Sequence, residues 1–408
     1  MRKSILFLII LFIQIPLFAQ VGEVIWEEQF DSVNTDIWNV INGDGCPLLC
    51  GFGNQELQYY RPANVYIEEV AGEDGNNAIV LEAMEQAFAG KPYTSGKIES
   101  EDKLAIRYGL VEVRMNVPDL EVGLWPAFWL LGDSHGTDGW PESGEIDMME
   151  MGHRQAEKQR QGHPNASNNN YVGSNLIWYA QGACAGVATC AASMADNTSF
   201  NQPYESSDSL DNRYVIYRMY WDSNSIRFTI EDNEVEYDLY TSQINLDNGE
   251  FGTTFRKPFY FIANLAVGGT FTDASNSNEV TAPIPAKAYI DYIKVSKWNG
   301  AGDIYLDGVI LSNEDDDETA PTGFKLDQNY PNPFNPTTNI SFELPSAGQV
   351  QLSVFDLQGR KVADVANKTY SQGSHNVQFN AEGLSSGVYY YSLTFGELTQ
   401  INKMTLIK

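Results

Sequence analysis

Three carboxylates, Glu145, Asp147 and Glu150, fall close together in the run Gly144-Glu145-Ile146-Asp147-Met148-Met149-Glu150. A strand sends alternate side chains to opposite faces, so 145 and 147 share a face and 150, an odd step away, belongs to the other. A one-residue bulge at Met148-Met149 repairs that parity and puts all three acids on one face. The outer Cα atoms are then roughly 13 Å apart, and inward-leaning glutamates can close towards the ~5–5.5 Å separation used in retaining glycoside hydrolysis. There, one glutamate attacks the anomeric carbon and the other protonates the leaving oxygen. Crowding three acids also raises at least one pKa, as a proton donor requires.

The plain alternative is a solvated acidic strand face, and the neighbouring aromatics argue against it. Upstream lie Gly123-Leu124-Trp125-Pro126-Ala127-Phe128-Trp129-Leu130-Leu131-Gly132 and Gly139-Trp140-Pro141. Flat indole faces stack on the C–H faces of sugar rings and bury large area at little entropic cost. Taken alone each tryptophan reads as core, but acids and indoles together describe a carbohydrate cleft.

Strands must position these groups. Residues 20–298 alternate apolar and polar positions between Gly, Asn, Asp and Pro, as in Asn77 to Met84, Tyr108 to Val117, Tyr214 to Ile230 and Ala288 to Lys297. Few segments support an amphipathic helix, so the expected class is all-β, a large two-sheet sandwich. Residues 299–323 include the acidic run 313–318 and read as a linker. Residues 324–408 return to short strands at Ile340 to Leu344, Val350 to Phe355, Asn376 to Phe379 and Val388 to Phe395, as in a second, small β-sandwich.

Hydrophobic residues at 43% and aromatics at 12% can fill such cores. With 54 acids against 25 bases and a net charge of −29, the chain lacks the cationic footprint that phosphate backbones need, which excludes nucleic acid as a partner. Residues 1–19, with Arg2-Lys3 ahead of an apolar run, read as a cleaved signal peptide. Export suits two local disulfides, Cys46 with Cys50 and Cys184 with Cys190. His153 reads as a loop histidine held by hydrogen bonds. The exported chain is expected to act as a monomer and to need no cofactor for catalysis.

Between residues 20 and 298 the chain resembles glycoside hydrolase family 16, in particular the laminarinase type (endo-β-1,3-glucanase). The stretches that carry the likeness are Gly53 to Tyr60, Tyr93 to Ile98, Tyr108-Gly109 with Glu112-Val113-Arg114, Gly123 to Gly132, Gly144 to Glu150, Pro258 to Gly269 and Ile290 to Val295. The resemblance implies a concanavalin-like β-jelly roll with its cleft on a concave sheet and a retaining double displacement. On matching positions it implies Glu145 as nucleophile, Asp147 as its assistant and Glu150 as acid/base. It also implies sugar contacts from Asn54, Arg114, Trp125 and Trp129, to which Trp140 beside the acids and Asn264 in the Pro258 stretch are added. Asp291 matches a ligand of a structural calcium in many relatives.

Departures qualify the substrate. Many relatives carry a His in a pattern like S-T-L-H-W where this chain reads Ser174-Asn175-Leu176-Ile177-Trp178, and polar insertions follow Glu150 and Gln181. The expected substrate is a laminarin-like β-1,3-glucan, with mixed-linkage β-1,3-1,4-glucan or a marine galactan as alternatives, and a non-catalytic β-glucan-binding protein as the alternative of another class. The segment Tyr330-Pro331-Asn332-Pro333-Phe334-Asn335-Pro336, with Val354 to Arg360 and Gly387 to Tyr391, resembles the type A sorting domain of the type IX secretion system. That implies partnership with the secretion machinery, passage through periplasm and outer membrane, and a secreted or cell-surface product.

Overall fold

The computed structural model describes residues 21–408 apart from 181–189, 195–202, 240–243, 246–248, 307, 311–323, 358 and 397. The leader, Cys184 and the acidic run 313–318 therefore lie outside the described residues. The remainder is almost entirely strand, and two large sheets face each other through one apolar core.

The nine-stranded sheet has the order Val235–Asp238, Ser225–Asp232, Tyr214–Trp221, Gly109–Asn116, Ala286–Trp298, Asn77–Ala83, Val65–Glu69, with Val21–Glu28 also on Ala286–Trp298. The eleven-stranded sheet runs Ala191–Ser193, Tyr171–Tyr179, Glu145–Met151, Leu124–Gly132, Phe259–Val267, Leu104–Arg107, Asp303–Leu306, Val309–Ile310, with Lys97–Glu99 also beside Phe259–Val267. Val111, Val113 and Met115 from the first sheet meet Phe128, Leu130, Ile146, Met148, Met149, Phe261 and Leu265 from the second. Each such side chain contributes about 1.5–3 kcal/mol by leaving water.

Residues 324–408 form two smaller sheets. One joins Lys325–Leu326, Thr337–Leu344 and Gly373–Asn380; the other joins Lys361–Tyr370, Gly348–Phe355, Gly387–Phe395 and Leu398–Leu406. Ile340, Phe342, Leu344, Leu352, Val354 and Tyr391 fill a core of their own. Thr337–Leu344 buries every second residue, the period its sequence carries.

Candidate active site

The acidic strand Glu145–Met151 is central in its sheet, between Leu124–Gly132 and Tyr171–Tyr179. Its pairing with Leu124–Gly132 runs Leu131 with Glu145, Leu130 with Ile146 and Trp129 with Asp147, then skips a residue before Phe128 meets Met149 and Ala127 meets Glu150. The ladder to Tyr171–Tyr179 shifts in the same interval. The bulge thus falls at Met148-Met149, and both methionines are buried in the core. Ile146 and Met151 share that core, which leaves Glu145, Asp147 and Glu150 together on the outer face of the sheet.

Register builds the floor around them. Reading across strands, Tyr260, Leu131, Glu145 and Ile177 form one row, and Ile262, Trp129, Asp147 and Asn175 the next. A third row holds Lys97, Asn264, Ala127, Glu150 and Gly173. Beside Glu150 a cleft of about 300 Å³ opens, lined among others by Asn54, Trp125, His153, Arg154, Tyr171 and Phe271.

Each outer acid has its own indole. Trp140 Nε1 donates to Glu145 Oε2 at 3.0 Å, and Trp125 Nε1 donates to Glu150 Oε1 at 3.1 Å. Trp125 is fixed in turn by Phe271, stacked at 4.2 Å between ring centroids. Burial raises the Glu145 pKa to about 7, opposed by hydrogen bonds from Trp140 and Asp147. Burial and the charge of Glu145 raise Glu150 to about 8, opposed by Trp125. Asp147, 4% exposed, is driven well above the usual carboxylate range by burial and by both neighbouring acids. The interaction between Asp147 and Glu145 favours the proton on Asp147 and the charge on Glu145, while Asn175 favours ionised Asp147. Ser193 Oγ donates to Asn175 Oδ1 at 3.0 Å, which turns the amide nitrogen towards Asp147.

Asn54, Trp125, Trp129, Trp140 and Asn264 all belong to this face. Trp129 Nε1 donates to Asn264 Oδ1 at 2.8 Å. Arg114 does not belong to it, and its expected sugar contact is corrected. Its neighbours Val113 and Met115 enter the core from the nine-stranded sheet, so Arg114 lies on the opposite outer face of the sandwich from the acids. There its guanidinium binds Asp291 and Glu73 and lies 4.3 Å from the Tyr214 ring centroid.

That pairing also bears on calcium. Arg114 occupies one Asp291 oxygen and Asn76 Nδ2 the other, at 2.9 Å, and no cluster of three His, Cys, Asp or Glu side chains suited to a metal occurs among the described residues. A carboxylate already neutralised by a guanidinium does not fit a divalent ion, so the residues present argue against the calcium expectation.

Among the described residues no hydrogen bond holds His153 either. It is 9% exposed, its Nδ1 has no partner, and its ring packs 5.0 Å from Tyr171 and 4.4 Å from Phe271. Burial lowers its pKa to about 3, so it stays neutral. The ring fits because the opposing residue is Gly173, where an added Cβ would stand 3.0 Å from His153 Nε2. Asn175, Gly173 and Phe271 carry no signal in sequence. The first two depend on a register hidden by the preceding loop, and Phe271 on a stacking partner far away in the chain. Cys46 and Cys50 are disulfide-bonded, in the loop that leads to Asn54.

Residues 63–294 match the family described as glycosyl hydrolases family 16, and residues 328–408 the secretion system C-terminal sorting domain. Glucan endo-1,3-beta-glucosidase A1 of Niallia circulans is 29% identical over 67% of this chain and 38% of its own length. The chain spans less than half of the length of the longer curated relatives it matches. Among solved structures, the family 16 protein of the Bacteroides ovatus mixed-linkage glucan locus, in complex with product, is 27% identical with a TM-score of 0.52, covering 67% of this chain and 100% of that one. The laminarinase catalytic domain of Thermotoga maritima MSB8 is 27% identical with a TM-score of 0.51, covering 68% and 99%. With a family match across more than half of its length, the chain belongs to glycosyl hydrolases family 16, and residues 328–408 form a secretion-system C-terminal sorting domain.

Proposed function

We propose that the protein is an exported, retaining endo-β-1,3-glucanase. The observation that carries this reading is the common face of Glu145, Asp147 and Glu150, with separate indole donors on the two glutamates. Glu145 receives two hydrogen bonds that favour its ionised form, whereas Glu150 receives one and feels the charge of Glu145. Glu145 is therefore the nucleophile and Glu150 the proton donor.

In the first step a Glu145 oxygen bonds to the anomeric carbon while the glycosidic C–O bond breaks, and the Glu150 proton passes to the leaving oxygen. In the second, Glu150 takes a proton from water as the water oxygen bonds to the same carbon and releases Glu145. Two inversions retain the configuration. The Asp147 hydrogen bond steadies Glu145 when it carries charge and weakens when it becomes an ester, which favours return to the free carboxylate.

The substrate rests on relatives described as laminarinase and as endo-1,3-beta-glucosidase. Mixed-linkage glucan is the second reading, favoured by the Bacteroides ovatus product complex. Residues 328–408 supply the address for type IX secretion and for release or surface attachment. The deciding experiment is Glu145→Gln: reducing-sugar release from laminarin falls at least about 10³-fold while the melting transition persists. Release at the wild-type rate overturns the assignment, and a wild-type preference for lichenan over laminarin moves the substrate to the second reading.

A further inference from the structure

The small β-domain has a face that its own core does not use. In the sheet of Lys361–Tyr370, Gly348–Phe355, Gly387–Phe395 and Leu398–Leu406, the alternate residues Leu352, Val354, Tyr389, Tyr391, Leu393 and Met404 fill the core of that domain. The residues between them point the other way. Register sets Ser353 beside Ser392, Ser392 beside Ile401 and Tyr390 beside Lys403 on that outer face. The outer face of an antiparallel sheet commonly meets water, yet Ser353, Tyr390 and Ser392 are buried and Ile401 is 2% exposed.

The large sandwich covers them. Tyr390 and Ile401 belong to its apolar cluster, together with Ile25, Ile304 and Leu306, and not to the cluster within residues 324–408. Val309–Ile310, the last strand of the eleven-stranded sheet, lies against Leu398–Leu406. The approach is tight at Gly359, which has φ of 73° and where a Cβ would stand 2.1 Å from Leu306 Cδ1. At the rim Lys403 Nζ meets Glu23 Oε2 at 2.5 Å. Both side chains of that pair are about half exposed, so it marks the fit and adds little stability.

Sheet edges need cover, since their unpaired backbone groups recruit other strands. We infer that the sorting domain is a cap on the catalytic sandwich: its outer face, centred on Tyr390 and Ile401, docks on the sheet edge at Leu306 and stays there without help from the linker. Domains joined by a linker move relative to one another unless an apolar interface holds them. Here enzyme and address travel as one body, and cutting the linker does not part them. The outer face of the three-stranded sheet, with Asn339, Glu343 and Asn376 exposed, is the one left open to other partners. Docking is independent of which glycan the cleft takes, so it stands or falls apart from the glucanase reading.

Two measurements on the full chain test it. A zero-length carbodiimide reagent couples an ammonium to a carboxylate it already touches, and digestion followed by mass spectrometry is expected to recover the peptide pair joined through Lys403 and Glu23. Lys403→Arg keeps the charge and abolishes that pair. In the second measurement a protease recognition sequence replaces residues 313–318, and the cut protein is passed over a sizing column. The fragment carrying residues 324–408 is expected to elute with the catalytic fragment. Ile401→Asp and Ser392→Arg each place a charge on the docking face and leave the domain's own core untouched, and each is expected to weaken retention at least about 10-fold. Absence of the Lys403–Glu23 pair in the wild type overturns the docking, and that result needs no variant to fold. Separation of the wild-type fragments as soon as the linker is cut overturns it as well, as does full retention in both variants.

Discussion

Protonation separates the two glutamates at the residue scale. On the proposed mechanism activity needs Glu145 ionised and Glu150 protonated, with pKa values near 7 and 8. A narrow bell in kcat/KM against pH follows, centred near neutrality. Trp125→Phe removes the donor that favours ionised Glu150, so the alkaline limb moves to higher pH; a limb that stays or falls contradicts the Glu150 assignment. Stability follows from the same shift. A carboxyl whose folded pKa is raised stabilises the fold below its unfolded value of 4.5, and that contribution is lost as pH rises through about 8. Glu150→Gln accordingly raises Tm by about 2–4 °C at pH 9 and leaves it unchanged at pH 4, checked by calorimetry at both values. The shared face of the acids was legible because a one-residue bulge repairs their parity and the neighbouring tryptophans argue for a cleft over a solvated face. The pairing of Arg114 with Asp291 was not, since nothing local says that two distant strands of the other sheet become neighbours.

At the scale of elements, the acidic strand is bracketed by glycines that other residues cannot replace. Gly152 has φ of 93°, and a Cβ there would lie 2.1 Å from the Leu124 carbonyl oxygen. Gly152→Ala forces the strand end away from Leu124–Gly132, costing about 2–4 kcal/mol and lowering kcat with it; denaturant unfolding and initial rates test both. Strand content was legible where apolar residues alternate, but some boundaries were not. Tyr214 to Ile230 reads as one run, yet it is a hairpin, Tyr214–Trp221 and Ser225–Asp232, turned where Asp222 Oδ1 accepts the Asn224 and Ser225 N–H groups. Lys361–Tyr370 escapes notice because it is an edge strand with mostly exposed Lys, Asp, Asn and Thr, and its sequence lacks a clean apolar face.

For the whole molecule, address and chemistry are carried by different stretches of chain. Removing residues 328–408 in a host with type IX secretion is expected to leave glucanase activity in cell extracts and abolish it in the medium and at the cell surface; unchanged export shows that the address lies elsewhere. The two-sheet architecture was legible from alternation over the whole chain, whereas the cleft walls were not, because loops such as the one carrying His153 take their places from tertiary packing. Finally, Trp26, Trp38 and Trp221 are sealed from water, but Trp140 is 39% exposed while it donates to Glu145. On the proposed function, an oligosaccharide lying across the groove screens that ring. With turnover blocked, titrating glucan is expected to shift the emission to the blue, and Trp140→Phe to diminish the response to what Trp125 and Trp129 on the same face supply.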